Sequence, residues 1–373
     1  MKVLQLGKFY PIIGGVEKVM YDLTKGLSER GIRCDMLCAN HHIGESSYTM
    51  ELKANSHIYC MKTLTMKMAT MISPAMIVRL RKIASQYDII HVHHPDPMAA
   101  VALLFSGYKG KVILHWHSDI QKQKYALKLY SPIQSWLIRR ANLIVGTTPV
   151  YIASSPYLAS VQDKCTYLPI GIEGIEWNQR RVDEIRKRYS GKKIIFSLGR
   201  LVGYKGFKYL IDAANYLSDD YVILIGGSGK LFGELSEQIV ANHLQNRVSL
   251  LGRVSDEDLP NYYAACDLFC LSSIQKTEAF AIVQVEAMSC HKPIVATNIP
   301  GSGVSWVNAH GVSGENVPIA DSKTLAQALG KILMDKECYA RYSSGAYERF
   351  QQNFKIDKMI DKCLDIYEKV LEN

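Results

Sequence analysis

Short, continuous apolar runs alternate with helical patterns along this whole chain. Such runs are typical of strands buried on both faces, as in parallel sheets covered by helices. The predicted strands are 2–7 (KVLQLG), 34–39, 89–94 (IIHVHH), 111–117 (KVILHWH), 142–148, 166–171, 193–198, 221–226, 248–251, 268–272, 293–296 and 314–317. The pattern therefore predicts an α/β fold with parallel sheets.

Helical segments separate the strands. The first, residues 14–31, has its apolar residues on one face and ends at Gly31, and others are predicted at about 75–86, 96–106, 131–140 and 149–159. The pattern starts again after a polar, charged stretch near 172–190. A chain of 373 residues has room for two domains. We therefore expect two doubly wound domains, each binding its ligand at the carboxyl ends of its strands.

Positive charge is concentrated in the first half of the chain. Residues 1–173 contain 20 Lys and Arg against 11 Asp and Glu, whereas residues 174–373 contain 24 of each class. This excess either serves solubility or indicates an anionic partner of the first half: a membrane face, a phosphorylated acceptor or nucleic acid.

The nine cysteines are scattered singly, without the clustered histidines of a zinc site. An odd count in a chain of this size disfavours a disulfide framework and favours reduced thiols in the cytoplasm. No apolar run has the length of a membrane span, and the N-terminus lacks the pattern of a secretory signal.

Two glycine-rich turns follow strands in the second half. SLGRLVGYKG (197–206) combines close backbone approach with two cations, Arg200 and Lys205, that suit a diphosphate, although a solvated loop would look similar. IGGSGK (225–230) is a weaker phosphate-binding signal, because such turns also occur for steric reasons. No acidic residue ends the next strand, which argues against a dinucleotide site.

The segment TEAFAIVQVEAM (277–288) contains two carboxylates, Glu278 and Glu286, in apolar surroundings. A helix starting near Phe280 would place Glu278 in the loop before it and Glu286 nearly two turns inside. An anion could then bind at the helix N-terminus while the two carboxylates accept hydrogen bonds from sugar and ribose hydroxyls. The alternative is a helix cap followed by a solvated glutamate.

These motifs, in this order, resemble the retaining glycosyltransferases of family 4, also called group 1, which have the GT-B architecture. Arg200 and Lys205, followed by the E-x7-E pair, carry the resemblance. Other landmarks of the family match FYPIIGGVEKV (9–19), DIIHVHHP (88–95) and LPIGIE (168–173). The resemblance covers nearly the whole chain, and it is greatest for bacterial mannosyltransferases that build cell-surface polysaccharide.

The resemblance implies two Rossmann-like domains facing a central cleft. Residues 1–173 would bind the acceptor and residues 174–354 the nucleotide sugar, and a C-terminal helix at about 355–373 would pack back on the first domain. Ile170 and Glu173, and likewise Ser228 and Lys230, depart from residues that many members have at these positions. These departures leave the base and the donor sugar open.

The resemblance also implies roles for individual residues. Arg200 and Lys205 would stabilise the leaving diphosphate, Glu278 would hold the transferred sugar, Glu286 the ribose, and His117 would position the donor sugar near the reacting carbon. Asp119 and His94 are candidate acceptor contacts. The remaining expected donor contacts are Gly14, Gly15, Gly199, Gly227, Arg253, Ala279, Phe280 and Ala281.

A histidine at the end of a strand is also often structural, so His117 has a second interpretation. We expect His115 to point away from His117. His91 and His93 share one strand face and His94 lies on the other, so we predict no metal site in HVHHPDP.

The predicted activity is transfer of a hexose, most simply mannose from GDP-mannose, to a hydroxyl of a glycan or polyprenyl-linked oligosaccharide, with retention and without a metal or other cofactor. Alternatives are a UDP-sugar donor (GlcNAc, glucose or galactose), a nucleotide-sugar epimerase, or a non-catalytic protein. Nucleic acid is not an expected partner.

Residues 60–82 interleave methionines with basic residues and are divided by Pro74. Flexible Met side chains beside Lys and Arg suit an anionic membrane surface, which predicts a peripheral position at the inner face of the cell membrane. A helix packed on the first domain with a solvated basic face is the alternative.

Overall fold

The structure is a computed structural model that describes residues 1–67, 70–120 and 124–372, without the side chains of residues 124–127. The chain divides into two compact units. The N-terminal unit comprises Met1–Gly171 and Ile356–Asn373, and the C-terminal unit comprises Ile172–Lys355.

An eight-stranded sheet forms the centre of the N-terminal unit, in the order β10-β9-β8-β7-β1-β2-β4-β3. All neighbouring strands are parallel except the β3–β4 pair, and β5 and β6 form a separate two-stranded antiparallel sheet. The strands are β1 (Lys2–Tyr10), β2 (Arg33–Asn40), β3 (Tyr48–Glu51), β4 (His57–Met61), β5 (Thr65–Lys67), β6 (Thr70–Ile72), β7 (Ile89–His94), β8 (Lys111–Trp116), β9 (Leu143–Gly146) and β10 (Cys165–Tyr167).

Helices connect these strands, as parallel pairing requires. They are α1 (Gly15–Glu29), α2 (Pro74–Ile83), α3 (Pro97–Ser106), α4 (Lys124–Arg140) and α5 (Pro149–Ser154). Asp96 and Thr148 cap the N-termini of α3 and α5 with their side chains. Pro74 is the first residue of α2, a position that needs no backbone N–H donor.

The C-terminal unit contains a six-stranded, fully parallel sheet in the order β13-β12-β11-β14-β15-β16. Its strands are β11 (Lys193–Leu198), β12 (Tyr221–Gly226), β13 (Val248–Gly252), β14 (Leu268–Leu271), β15 (Ile294–Thr297) and β16 (Gly314–Val317). Its helices are α6 (Gln179–Arg188), α7 (Phe207–Ala213), α8 (Phe232–Ala241), α9 (Leu259–Ala265), α10 (Ile282–Ser289), α11 (Val304–Val307), α12 (Ser322–Met334) and α13 (Lys336–Arg349).

Short helical turns complete the chain. Four are 3-10 turns, at Ala84–Gln86, Ala159–Lys164, Gly203–Lys205 and Ala214–Tyr216, and one is a π turn at Phe350–Phe354.

The last helix, α14 (Ile356–Glu372), belongs to the N-terminal unit, where it packs against α1. Arg30 forms ion pairs with Asp357 at 3.1 Å and with Asp361. On the buried side of α14, Cys363 and Tyr367 are fully buried. The C-terminal end of the chain thus completes the core of the N-terminal unit.

The central strands are buried on both faces, as their apolar runs predicted. Every residue of β7 is buried, including three histidines, and β12 and β14 are equally enclosed. In both sheets, the strand order reverses its direction at the first strand of the unit. Strand β1 lies between β2 and β7, and β11 lies between β12 and β14. Ligands of open parallel sheets bind at such switch points.

Candidate active site

The donor residues expected in the C-terminal unit gather at one edge of its sheet. Gly199, Arg200 and Lys205 follow β11, Gly227 follows β12, Arg253 follows β13, and Glu278 to Ala281 follow β14. These four strands are consecutive in the sheet, and all end at the same edge because the sheet is parallel. The residues therefore lie around the switch point of this unit.

Lys205 and Glu278 form a buried ion pair at this edge. The Lys205 Nζ lies 2.6 Å from the Glu278 Oε2, and each residue is less than 10% exposed. The Ser273 hydroxyl donates a second hydrogen bond of 2.9 Å to the same carboxylate oxygen. Buried charges persist only when they are paired and hydrogen-bonded. The pair therefore places a cation, the Lys205 ammonium, beside a hydrogen-bond acceptor, the Glu278 carboxylate.

Two glycines make room for this arrangement. A Cβ at Gly199 would lie 3.0 Å from the Cε of Lys205, so a larger residue would press on the lysine side chain. Gly227 has φ +133°, and a Cβ there would lie 1.9 Å from the Gly199 carbonyl oxygen. The two turns thus approach each other through their backbones, which only glycine permits at residue 227.

Arg200 and Arg253 are exposed, in contrast to Lys205. The Arg200 guanidinium lies 3.3 Å from the hydroxyl of Tyr204, within the same turn. An exposed guanidinium can bind an anionic ligand without breaking a buried ion pair. The two cations of the motif therefore differ in environment: Arg200 is exposed to solvent, and Lys205 is buried in an ion pair with Glu278.

The segment before α10 has a constrained backbone. Helix α10 begins at Ile282, two residues later than the predicted start near Phe280. Ala281 has φ 63° and ψ 73°, a left-handed conformation that is uncommon for alanine. The Phe280 ring is buried and contacts Phe354 edge-on at 5.9 Å, and the Ala279 carbonyl accepts from the Gly303 N–H at 3.0 Å. The N-terminus of α10 thus follows Glu278 closely in the chain.

Glu286 is held by a residue that the sequence did not indicate. The Tyr263 hydroxyl donates a 2.6 Å hydrogen bond to the Glu286 Oε2. Burial raises the pKa of the Glu286 carboxyl, while the Tyr263 hydrogen bond opposes this shift. Because Tyr263 occupies one oxygen, the carboxyl group has a fixed orientation within α10.

In the N-terminal unit, the expected residues also follow strands at the carboxyl edge. Gly14 and Gly15 lie at the start of α1, after β1, and both are exposed. His117 directly follows β8, and its backbone N–H donates to the His94 carbonyl at 3.0 Å. Asp119 lies two residues further along. The strands β1, β7 and β8 are neighbours, so these residues also surround a switch point.

His117 is buried and takes part in a polar contact within the unit. Its Nε2 lies 2.9 Å from the Nδ1 of His93. Burial, and then the positive potential of His115, His93 and Lys8, place the pKa of His117 well below its usual value. The imidazole is therefore neutral at physiological pH.

The two candidate acceptor residues have structural contacts. The Asp119 Oδ1 accepts from the Trp116 indole at 2.9 Å and from the Ser155 hydroxyl at 2.7 Å. His94 is 1% exposed, its ring stacks on Trp116 with a centroid distance of 3.9 Å, and burial lowers its pKa to about 3. His94 thus packs in the core, where an acceptor could reach it only after a rearrangement.

The expected orientation of His115 is wrong. The His115 and His117 rings stack at 3.9 Å, because residues two apart on a strand share a face. Nitrogen atoms of His91, His93 and His115 lie within 4.8 Å of one another, so His115, and not His94, completes the histidine cluster. The His91 and His93 rings are stacked at 5.0 Å, and both His93 nitrogens have hydrogen-bond partners. The absence of a metal from this segment stays a prediction.

Two residues at these sites escaped the sequence interpretation: Ser273 and Tyr263. Ser273 lies two residues after β14, close to the glutamate motif, so its position could have indicated a role. Tyr263 lies 23 positions before Glu286, the residue it contacts, and no local pattern marks it.

Family comparisons cover most of the chain. Residues 13–164 match the family described as "Glycosyltransferase Family 4", and residues 178–349 match "Glycosyl transferases group 1". Both matches agree with the family that the sequence motifs predicted, and with the division into two units.

Curated relatives and solved structures agree with this family. The chain is 31% identical, over the full length of both proteins, to O-antigen chain mannosyltransferase C of Escherichia coli. It is 28% identical to D-rhamnosyltransferase WbpZ of Pseudomonas aeruginosa, over 95% of this chain and 92% of the relative. Crystal structures of Anabaena Alr3699/HepE with UDP and with UDP-glucose cover 99% of this chain and 100% of theirs, at 22% and 21% identity and TM-scores of 0.77 and 0.75. The chain belongs to the group 1, family 4 glycosyltransferases and has the GT-B fold of two Rossmann-like domains.

Proposed function

We propose that this glycosyltransferase transfers mannose from GDP-mannose, with retention of anomeric configuration, to a hydroxyl of a glycan or polyprenyl-linked oligosaccharide during synthesis of cell-surface polysaccharide. Its similarity to an O-antigen chain mannosyltransferase supports the sugar and the process. D-rhamnosyltransferase WbpZ, a further relative, is named for a different sugar, so the donor needs a direct test.

The Lys205–Glu278 pair is the observation that carries the proposal. Leaving-group departure needs positive charge at the diphosphate, and sugar binding needs a hydroxyl acceptor nearby. The pair supplies both within 2.6 Å, at the carboxyl ends of adjacent strands, and Arg200 follows the same strand β11. Arg200, exposed in the same glycine-rich turn, supplies a second cation near the pair.

In the proposed reaction, Arg200 and Lys205 stabilise the charge that develops on the departing nucleoside diphosphate. Glu278 accepts hydrogen bonds from hydroxyls of the transferred sugar, and Glu286, oriented by Tyr263, accepts from the ribose. His117 positions the donor sugar through its neutral imidazole. Since these cations neutralise the diphosphate, we expect activity without a divalent metal.

A panel of donors tests the sugar and the base. Purified enzyme is mixed with GDP-mannose, UDP-GlcNAc, UDP-glucose or UDP-galactose, and the rise in melting temperature reports selective binding. GDP-mannose should give the largest rise. A larger rise with a UDP-sugar would favour the alternative donor class, which the UDP-bound HepE structures make the second candidate.

Product analysis tests the reaction. Proton NMR of the first product should show the anomeric configuration of the donor, and the rate should be unchanged after treatment with EDTA. A new sugar nucleotide formed without any acceptor would instead indicate an epimerase. Inverted configuration would contradict the retaining mechanism.

The proposed acceptor is presented at an anionic membrane surface that contacts the N-terminal unit. In residues 60–82, Leu64, Met66 and Val78 are each more than half exposed. Four basic residues of this segment are also exposed: Lys62, Lys67, Arg81 and Lys82. Apolar side chains beside cations suit a lipid interface with anionic headgroups.

Part of residues 60–82 is buried within the N-terminal unit. Met71 and Met76 are buried, Met61 is half-buried, and Met68 lies outside the described residues. The guanidinium of Arg79 lies 4.2 Å above the Tyr59 ring. Within the described part of the chain, no helix is long and apolar enough to cross a bilayer. Any membrane contact of this segment is therefore at the surface.

Sedimentation with liposomes tests this contact. Wild-type enzyme should bind anionic vesicles at low salt, and Lys82→Glu should weaken binding roughly tenfold or more, since each cation near the surface contributes about 1 kcal/mol. Lys187→Glu is the matched control, because Lys187 is also an exposed lysine in the last turn of a helix, α6, in the other unit. Equal binding to anionic and neutral vesicles would contradict the proposal.

A further inference from the structure

Four buried histidines of the N-terminal unit lie side by side, three on the neighbouring strands β7 and β8 and one directly after β8. His93 and His115 are paired in register between β7 and β8, His91 precedes His93 on the same face, and His117 follows His115. His91, His93 and His115 are fully buried, and His117 is 5% exposed. Such a row of imidazoles is costly to bury, so its hydrogen bonds should be specific.

A continuous hydrogen-bond chain connects the C-terminal helix to His117. The Gln5 Nε2 donates to the Tyr367 hydroxyl at 2.8 Å. The Gln5 Oε1 lies 2.8 Å from the Nε2 of His93, and the Nδ1 of His93 lies 2.9 Å from the Nε2 of His117. Tyr367 also lies 2.7 Å from the Nδ1 of His91.

The direction of each hydrogen bond follows from the donors available. With the Gln5 amide oriented as in the structure, its oxygen accepts from the Nε2 of His93, which then carries the proton and leaves its Nδ1 as an acceptor. The Nε2 of His117 must then be the donor to His93. The lone pair of His117 therefore lies on its Nδ1, on the opposite side of the ring from His93.

Because the four imidazoles are neutral, the tautomer of each ring decides which of its nitrogens donates a hydrogen bond and which accepts one. Burial places the pKa of His91 and of His93 well below the usual value, and burial lowers that of His115 to about 3. A neutral imidazole either donates or accepts at a given nitrogen, but not both. If the Gln5 amide were turned over, every bond of the chain would reverse, and His117 would present an N–H at Nδ1.

We propose that Gln5 and Tyr367 are positioning residues that fix the tautomer of His117, with the proton on Nε2 and a lone pair on Nδ1. Tyr367 accepts from the Gln5 Nε2, and its own proton can go to the Nδ1 of His91 at 2.7 Å, which is the pattern that this orientation of the amide requires. The consequence for catalysis rests on the proposed function: the Nδ1 of His117 accepts a hydrogen bond from a hydroxyl of the donor sugar.

Nitrogen-15 NMR of protein labelled in its histidine rings measures the tautomer directly. In the wild type, the resonance assigned with His117→Asn should show a protonated Nε2 and an unprotonated Nδ1. Tyr367→Phe removes the acceptor of the amide, and Gln5→Met removes the amide, so both variants should give a mixture of tautomers. Cys34→Ala is the matched control: its thiol lies 3.6 Å from the same Gln5 nitrogen but outside the chain, so the wild-type tautomer should persist.

Kinetics of Tyr367→Phe separate this proposal from the proposed function. We expect kcat to fall roughly two- to tenfold, the range for one neutral hydrogen bond, with circular dichroism unchanged. A changed tautomer with unchanged kcat would refute the sugar contact of His117. A wild-type His117 protonated on Nδ1, or an unaltered tautomer in both variants, would overturn the proposal itself, and the wild-type spectrum alone decides this even if a variant fails to fold.

Discussion

Replacing Lys205 should destabilise the C-terminal unit, not only inactivate it. Lys205→Met leaves the Glu278 carboxylate buried, with Ser273 as its partner and without its cation at 2.6 Å. Breaking a buried ion pair from one side costs about 3 kcal/mol or more. For domains of roughly 150–250 residues, each kcal/mol lowers the melting temperature by about 2–4 °C, so we expect a fall of about 6–12 °C.

The double variant Lys205→Met/Glu278→Gln shows whether the unpaired charge is the cause. It removes both charges, and the new amide can still accept from the Ser273 hydroxyl. Replacing a whole buried pair is often close to neutral, so the double variant should recover most of the lost stability while remaining inactive.

Arg200→Ala is the complementary variant, because this arginine is exposed. Its melting temperature should stay near that of the wild type, whereas kcat should fall roughly a hundredfold, equivalent to about 3 kcal/mol of leaving-group stabilisation.

The assays are thermal unfolding and initial rates of sugar transfer for all four proteins. Equal melting temperatures for Lys205→Met and the wild type would refute the reasoning, since Glu278 would then not depend on its cation. Near wild-type kcat in both Arg200→Ala and Lys205→Met would remove these residues from the donor site.

Three further predictions concern the C-terminal unit. In calorimetry with nucleoside diphosphate alone, Glu286→Ala should lose affinity and Glu278→Ala should retain most of it; the reverse result would exchange their roles. Burial raises the pKa of Glu286 in the folded state above its ordinary value of 4.5. The protonated carboxyl therefore stabilises the fold at pH values below 4.5, and this stabilisation is lost as the pH rises through the folded-state pKa. Urea titrations at several pH values measure the free energy of unfolding. This free energy should fall with rising pH in the wild type, and Glu286→Gln should lack the part of the fall that Glu286 causes. Gly227→Ala should destabilise the fold by about 3 kcal/mol or more, because its Cβ would overlap the Gly199 carbonyl, whereas Gly233→Ala, with open space around it, should change stability by about 1 kcal/mol or less.

The order of strands and helices could be read from the sequence because it depends on local patterns. IIHVHH and KVILHWH were predicted as buried strands from their lack of alternation, and both form central strands, β7 and β8. Boundaries were less certain. The strand predicted at 166–171 is only Cys165–Tyr167, and the antiparallel pair of strands β5 and β6 was not predicted.

The motif residues were also visible in the sequence, because glycines, cations and acids after strands predict a phosphate and polyol site. Their partners were not. Lys205 reaches Glu278 across 73 positions because β14 lies beside β11 in the sheet, although two strands separate them in the chain.

The histidine row shows the same division between local pattern and tertiary structure. The sequence placed His93 and His117 on strands, but only the pairing of β7 with β8 brings their rings within 2.9 Å. Only the docking of α14 brings Tyr367 to Gln5, 362 positions earlier in the chain. Local propensity determines which segments become strands and helices. Burial and packing of the whole chain decide which polar groups those segments bring together, because contacts between distant residues leave no periodic pattern in the sequence.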